Sequence, residues 1–215
     1  MDEVLKKYSL LKNLNVPRET FLDFEKFISM LTIINDDINI ISKKTASNDI
    51  IRERHIIDSA QIIEFIDLNS DIATDIGTGG GMPGIVIGIM TKTLKKSIKI
   101  NLYEKSHHKS AFLRKASRDL RINTNIMQKN IFDEQNLESG TIMARAFKPL
   151  PIVLELVYKN FVSYKNLILF MGKNGEKVLE DSLKDWDFNY EKKKSITSED
   201  SFLLNIKNIR KKIKN

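Results

Sequence analysis

The spacing of hydrophobic and polar positions changes rhythm near residue 70. Before it the spacing is helical. Val4, Leu5, Leu10 and Leu11 predict a short helix over 2–13, and Pro17 opens a second. Phe24, Ile28 and Leu31, with the parallel row Phe27, Leu31, Ile34, Ile38 and Ile41, keep three- and four-residue intervals. Such intervals make one long amphipathic helix, with room for a break at 35–37. The polar run KKTASND, 43–49, reads as a loop, and RERHIIDSAQIIEFI falls within a third helix over 50–66. Asn69 and Ser70 then turn the chain.

After residue 70, strand and helix signals alternate. Ile72, Ala73 and Ile76 form an apolar strand core with Asp75 near its end. Five glycines follow between 77 and 84, and Pro83 falls where a first helical turn accepts proline. Ile85 to Met90 then predict a short, fully buried helix. A second strand, 97–105, carries Glu104 near its end. Ser106 caps a helix whose buried side is Phe112, Leu113, Ala116 and Leu120. Strands over 125–129 and 141–147 follow, and Arg145 sits at the end of the latter. Pro149 and Pro151 start a helix over 151–161, and a fifth strand spans 165–172. A helix over 174–186 ends at Trp186. The segments 188–196 and 201–210 form two strands joined by TSED, before a basic, frayed tail. This order predicts an α/β fold, a doubly wound sheet with an antiparallel edge and an N-terminal helical cap. Residues 1–69 are the expected extension and 70–215 the expected core, one compact unit.

Composition narrows the choices. A length of 215 residues with 41% apolar content suits one α/β domain with an extension. The absence of cysteine excludes disulfides, thiolate metal sites and cysteine nucleophiles, and fits a reducing compartment. No apolar run has membrane-spanning length, and the start MDEVLKKYSLL is not a signal peptide. A cytoplasmic protein with no membrane contact is expected. A net charge of +7 and a pI of about 9.4 fit a polyanionic partner such as RNA. The chain's bias toward Lys, Ile and Asn produces the same charge, so charge weighs little.

The candidate chemistry centres on DIATDIGTGGGMPGIVIGIM, 71–90. Glycines allow positive φ and close backbone approach, and a helix N-terminus offers free N–H groups. The spacing Gly79-x-Gly81-x-x-Gly84 matches a dinucleotide fingerprint. Counted from Gly77, the residue that follows the strand, the third glycine position is Met82 and the match fails. An acidic strand end followed by G-x-G-x-G is the pattern of S-adenosylmethionine (SAM) methyltransferases. Glu104, at the end of the second strand, is placed to take both ribose hydroxyls. The loop 130–133 would lie over a nucleobase, with the backbone N–H groups of Ile131 and Phe132 reading its edge. Arg145 emerges where α/β sheets keep their chemistry, and a charged side chain leaving a buried strand rarely lacks a task; a salt bridge closing the cleft is the weaker alternative. His55 and Asp58 share a helix face, and spacing alone favours an ordinary contact over a site. His107 and His108 lie outside metal-ligand spacing, so no metal is expected.

Four stretches, HIIDSA (55–60), DIGTGGGMPG (75–84), YEKSHHKSAFLRKASRDL (103–120) and ARAFKPL (144–150), occur in one order. The set resembles the RsmG family, also called GidB, of bacterial 16S rRNA methyltransferases. The resemblance implies a class I SAM-dependent fold with a mostly parallel seven-stranded sheet and an antiparallel C-terminal hairpin. It implies methyl transfer from SAM to N7 of one guanine in 16S rRNA, leaving S-adenosylhomocysteine. By the match, Gly77, Gly79 and Met82 line the SAM loop, Glu104 takes the ribose, and Arg145 lies in the active site. His55 and Asp58 become part of the site wall. Ile131 and Phe132 follow by position only, because Asn130-Ile131-Phe132 stands where the family has R-x-E. The family's paired lysines are His108-Lys109 here, and its K-G after the fifth strand is Met171-Gly172. Guanine N7 carries no proton, so no general base is expected, and Arg145 would position the substrate. The expected partner is 16S rRNA or the 30S particle, bound by a monomer, with no DNA. The competing readings are a SAM-dependent methyltransferase for another RNA, a dinucleotide oxidoreductase and a non-catalytic rRNA assembly factor.

Overall fold

The structure is a computed structural model describing residues 3–14 and 16–213. Asp2 of the predicted first helix and Lys214 and Asn215 of the tail lie outside the described residues. Five β-strands and four helices follow one another from residue 72 in the predicted order, with a loop holding a 3-10 turn, Ile131–Asp133, between the third and fourth strands, and a two-stranded hairpin closes the chain. The strands are β1 (Ile72–Ile76), β2 (Lys99–Tyr103), β3 (Thr124–Met127), β4 (Leu137–Ala144), β5 (Phe161–Met171), β6 (Trp186–Lys194) and β7 (Phe202–Lys211). They form one sheet in the order β3-β2-β1-β4-β5-β7-β6. β1 to β5 pair in parallel, and β7 runs antiparallel between β5 and β6. The strand order reverses between β1 and β4, which opens a crevice beyond their carboxyl ends.

The helices before the sheet are α1 (Glu3–Lys7), α2 (Arg18–Asp37), α3 (Asn48–Ile51) and α4 (Asp58–Ala60). Those after β1 are α5 (Gly84–Thr93), α6 (His107–Leu120), α7 (Leu150–Asn160) and α8 (Gly175–Asp185). α5 shows why a periodicity argument sees only an apolar run there. Ile85, Val86, Ile87, Ile89 and Met90 are all fully buried, because α5 is covered by the sheet on one side and by the N-terminal helices on the other. Phe24, Phe27, Ile28 and Leu31 of α2 belong to the same core as Ala73, Leu102 and Leu113. Phe27 stacks on Phe112 of α6 at 6.3 Å. A second core, with Leu154 and Val157 of α7, fills the opposite face of β4, β5 and β7.

Several expectations from the pattern shift. The first predicted helix is α1 followed by a 3-10 segment, Ser9–Leu14. Tyr8 and Leu11 are three apart, which a 3-10 turn puts on one side, and both are buried, with Tyr8 stacked on Phe21 at 4.8 Å. α2 runs unbroken to Asp37, Ile38 leaves it in extended conformation, and the chain then bends tightly, with Ile40 N–H donating to the Ile38 carbonyl at 2.7 Å. Asn35 Oδ1 accepts hydrogen bonds from the Ile40 and Ile41 N–H groups, both at 2.9 Å, in place of the helical ladder. The third predicted helix is one helical path over 48–65, but Arg52–Ile57 is π-helical and Gln61–Phe65 is 3-10. The wider π turn lets Arg52, Ile56 and Ile57 all face inward. Arg52 then meets Glu25 of α2 at 2.6 Å. Pro83 precedes α5 as its N-cap, with Gly84 as the first helical residue. β4 ends at Ala144, so Arg145, Ala146 and Phe147 lie just beyond the strand. Trp186 begins β6 instead of closing α8; its ring is buried and packs edge-on against Tyr158.

Candidate active site

The crevice at the reversal point holds an open cavity of about 690 Å³. Its floor is the turn after β1. Gly77, Gly79 and Gly81 have φ of 71°, 58° and 97°, the left-handed region that glycine enters without strain. Gly77 also has no room for a side chain, since a Cβ there would lie 2.1 Å from the Phe147 ring. Gly79 N–H donates to Glu104 Oε2 at 3.2 Å, and Ser106 N–H donates to Oε1 at 2.8 Å. Glu104 is thereby fixed immediately after β2, facing the glycine turn. Met82 is buried beneath the turn and lines the cavity.

The loop after β3 supplies the far wall. Ile131 is buried and Phe132 half-exposed, and the Phe132 ring stacks on Phe147 at 5.9 Å. Asn160, buried at the end of α7, donates to the carbonyls of Ile131, Phe132 and Glu134 and so fixes the loop's path. Ile40 and Ile41 close the side nearest the N-terminal helices. Lys105, Lys109, Lys129 and Lys148 stand around the mouth.

Arg145 closes the inner end. Its Nε donates to Asp58 Oδ2 at 3.1 Å, its Nη1 lies 3.1 Å from His55 Nδ1, and its Nη2 donates to the Arg54 carbonyl. Burial pulls the Arg145 guanidinium below its ordinary pKa, and the Asp58 carboxylate opposes that. His55 is pulled down to about 4 by burial and by the charges of Arg145 and Arg54. The neutral ring accepts from Arg145, and its Nε2 lies 3.1 Å from Thr45 Oγ1. Asp75 lies behind the glycine turn with no exposed surface. Burial pushes its carboxyl up to about 7, opposed by the Gly84 N–H at 2.8 Å and by the charge of Arg145.

All seven residues singled out from the sequence, Gly77, Gly79, Met82, Glu104, Ile131, Phe132 and Arg145, line this one cavity. His55 lines it too, while Asp58 holds Arg145 from behind. Sequence reasoning missed Phe147, Ile40, Ile41 and Asn160. Phe147 stands inside the quoted ARAFKPL stretch, so its signal was present. The other three act through contacts between segments distant in the chain.

The donor set matches the parts of SAM. A carboxylate faces a glycine turn, Met82, Ile131 and Phe132 give an apolar flank, and the volume falls within the roughly 300–1,000 Å³ typical of small-ligand sites. Sheet order, reversed hairpin and carboxyl-end cavity together define a class I SAM-dependent methyltransferase. The solved structure of a SAM dependent methyltransferase from Aquifex aeolicus has the same fold, with a TM-score of 0.52. It covers 70% of this chain and 89% of that one at 12% identity, a level that speaks for the fold alone.

The family model described as GidB, rRNA small subunit methyltransferase G, matches residues 21–206. The chain is 72% identical to the "Ribosomal RNA small subunit methyltransferase G" of Pelagibacter ubique (strain HTCC1062), over 99% of this chain and 100% of that protein. It is 32% identical to the protein of that name from Rickettsia rickettsii (strain Sheila Smith), over 93% of this chain and 100% of that protein. The chain belongs to the rRNA small subunit methyltransferase G family.

Proposed function

We propose that this chain transfers the methyl group of SAM to N7 of one guanine in the 16S rRNA of the small ribosomal subunit. The observation that carries the reading is the meeting of Glu104, the glycine turn and Arg145 in one cavity at the carboxyl ends of β1, β2 and β4. Bound SAM supplies an electrophilic methyl on sulfur. Glu104 would take the ribose hydroxyls, exchanging its bond from Gly79. Gly77 and Gly79 would let the backbone approach the amino acid part. The N–H groups of Ile131 and Phe132 would meet the adenine edge, with Met82 and the Phe132 ring against its faces.

N7 has a free lone pair and no proton to lose, so the residues' task is alignment and charge, not proton transfer. The site agrees with this. His55 holds Arg145 and Thr45 through its two nitrogens, and Asp75 is sealed behind the glycine turn. Arg145 is the fixed cation beside the cavity. Its planar fork suits guanine O6 or a backbone phosphate. In A-form RNA the groove carrying N7 is too narrow for side chains, so the guanine must be unstacked or in a loop. The lysines at the mouth would meet phosphates, making binding salt-sensitive.

We further take residues 1–69 as a cap on a catalytic unit of 70–215, and the enzyme as a cytoplasmic monomer acting on rRNA or 30S particles without DNA or membrane. Among the described residues no helix is long and apolar enough to cross a membrane.

The test is incubation with methyl-labelled SAM and unmodified small-subunit rRNA, free and as 30S particles, followed by cleavage at 7-methylguanosine. One cleavage in 16S rRNA is expected. Label at another atom or another RNA would keep the methyltransferase and discard the target. Arg145→Ala is expected to lower turnover at least a hundredfold while the fold, read by circular dichroism, is kept. Unchanged turnover would remove Arg145 from the mechanism.

A further inference from the structure

A second cavity, of about 500 Å³, lies on the other side of Arg145. It opens beyond the carboxyl ends of β4 and β5, beside the turn that joins β6 to β7. Arg145 and Ala146 line both cavities, so they form the partition between them. We propose that this second cavity receives the unstacked target guanine, and that the hydroxyls of Ser198 and Ser201 read its Watson–Crick edge. The inference rests on the guanine-N7 reading above.

Three features support it. The first is that the walls are held in place. Asp58 Oδ2 binds Arg145, while Asp58 Oδ1 accepts from Thr197 Oγ1 at 2.8 Å, Gln61 Nε2 at 2.8 Å and Ser195 Oγ at 3.3 Å. Ile196 N–H donates to Gln61 Oε1 at 3.0 Å. One carboxylate thus joins the N-terminal helices, the end of β4 and the β6–β7 turn. A preformed pocket spares the ordering that a mobile turn would need.

The second is the chemistry of the lining. The Arg145 guanidinium sits 5.6 Å above the Phe170 ring, so one wall is aromatic and capped by a cation. Phe170 and Phe202 give apolar surface for a base face. Ser201 Oγ donates to Ser198 Oγ at 3.1 Å, which leaves lone pairs for the N1–H and N2–H groups of guanine. Enzymes that act on an extruded base hold it in this manner, by its Watson–Crick edge and by apolar contact.

The third is orientation. Guanine O6 and N7 are neighbours on one edge. A base with its Watson–Crick edge toward Ser198 and Ser201 and O6 at Arg145 presents N7 at the partition, facing the cofactor cavity. Arg145 has five N–H groups, and its bonds to Asp58, His55 and Arg54 leave capacity for O6. The methyl group would then cross beside Ala146, a small residue that lines both cavities.

Gly172 allows a direct test. It lines the second cavity, its backbone lies outside the left-handed region, and a Cβ placed on it meets no atom within 4 Å. Gly172→Trp should therefore fold and obstruct this cavity alone. The expected result is SAM affinity within twofold of the original chain, by calorimetry, with kcat/KM for 30S particles or rRNA reduced at least twentyfold. Full kcat/KM would overturn the assignment, and so would an equal loss of SAM affinity. The paired change Ser198→Ala with Ser201→Ala covers the case in which the tryptophan disturbs folding. It should reduce kcat/KM about tenfold with SAM affinity unchanged, and an unaltered kcat/KM would overturn the role of the turn. The original chain is run in parallel. Its own failure to form 7-methylguanosine would count against the proposed function, whereas an active original and an equally active Gly172→Trp enzyme would count against the second pocket only.

Discussion

Asp75, buried, and His55, half-buried, are two titratable residues pushed in opposite directions. Burial raises the Asp75 carboxyl to about 7, with the Glu104 charge adding to the rise and Gly84 N–H and Arg145 opposing it. In the unfolded chain an aspartate ionises near 3.9. Between about 4 and 7 the folded protein therefore holds a proton that the unfolded chain has released, and this residue's effect on stability declines as pH rises. His55 behaves in the opposite sense. Its pKa of about 4 lies below the unfolded value near 6.5. Its contribution is fully present above about 6.5 and is lost as pH falls toward 4. The two slopes oppose each other across the shared window. Asp75→Asn keeps an oxygen to accept from Gly84 N–H and removes the charge. In the cofactor-free protein it should raise the urea midpoint relative to the original chain at pH 8, with the gain shrinking toward pH 4. It should also leave a visible His55 slope, with stability rising from pH 4 to 6.5. An unchanged pH dependence would show that Asp75 is not protonated near neutrality in the folded chain.

At the scale of the element, the turn between β1 and α5 carries the most stringent backbone requirement. Gly77 combines a φ of 71° with a Phe147 ring in the space a methyl would need. Left-handed backbone costs a non-glycine residue about 1–2 kcal/mol. The displaced Phe147 would also lose its stacking on Phe132 across the cavity. Gly77→Ala should lower stability by about 2 kcal/mol and weaken SAM binding at least tenfold, measured by chemical unfolding and calorimetry. Loss of stability with intact SAM affinity would separate the turn from the cofactor. This requirement is legible in the sequence, because a glycine-rich run after an apolar strand has few other uses. The reason Gly77 in particular is fixed is not legible, since Phe147 lies in a different loop.

At the scale of the whole molecule, the N-terminal helices are built into the cavity proposed to hold the cofactor. Asn35, at the end of α2, accepts from the N–H groups of Ile40 and Ile41, and those two side chains wall the cavity. Ile40 packs so closely that a Cβ on Gly80 would lie 2.5 Å from it. α2 itself is anchored through Phe24 and Phe27, both fully buried, and through the Glu25–Arg52 pair. Asn35→Ala would leave the buried Ile41 N–H without its acceptor, at a cost of about 1–3 kcal/mol, while Ile40 N–H keeps the Ile38 carbonyl at 2.7 Å. The expected outcome is a lower melting temperature together with a several-fold loss of SAM affinity, although Asn35 itself is outside the cavity lining. Unchanged SAM affinity would mean that the 38–41 segment stays in place without this cap.

The sequence alone determined the alternation of strands and helices and the helical character of most of the segment before β1, and its pattern together with the family resemblance picked out seven residues that line one cavity. These features are local. Hydrophobic period, glycine clusters and strand-end charges are written within a few residues, and an α/β sheet brings consecutive strand ends to one edge. Only the tertiary structure decided which distant groups share a partner. Asp58 meets Arg145 across 87 positions and Thr197 across 139, and spacing within its own helix carries no trace of either. His55 and Asp58 look like an ordinary pair on one helix face until the π turn and the sheet order direct both at Arg145. The second cavity has the same origin. Its walls come from four separate segments, and it exists because β7 inserts antiparallel between β5 and β6 and sets the β6–β7 turn beside the end of β4. Hydrogen bonds and cavities of this kind depend on strand order, a global property that local spacing does not encode.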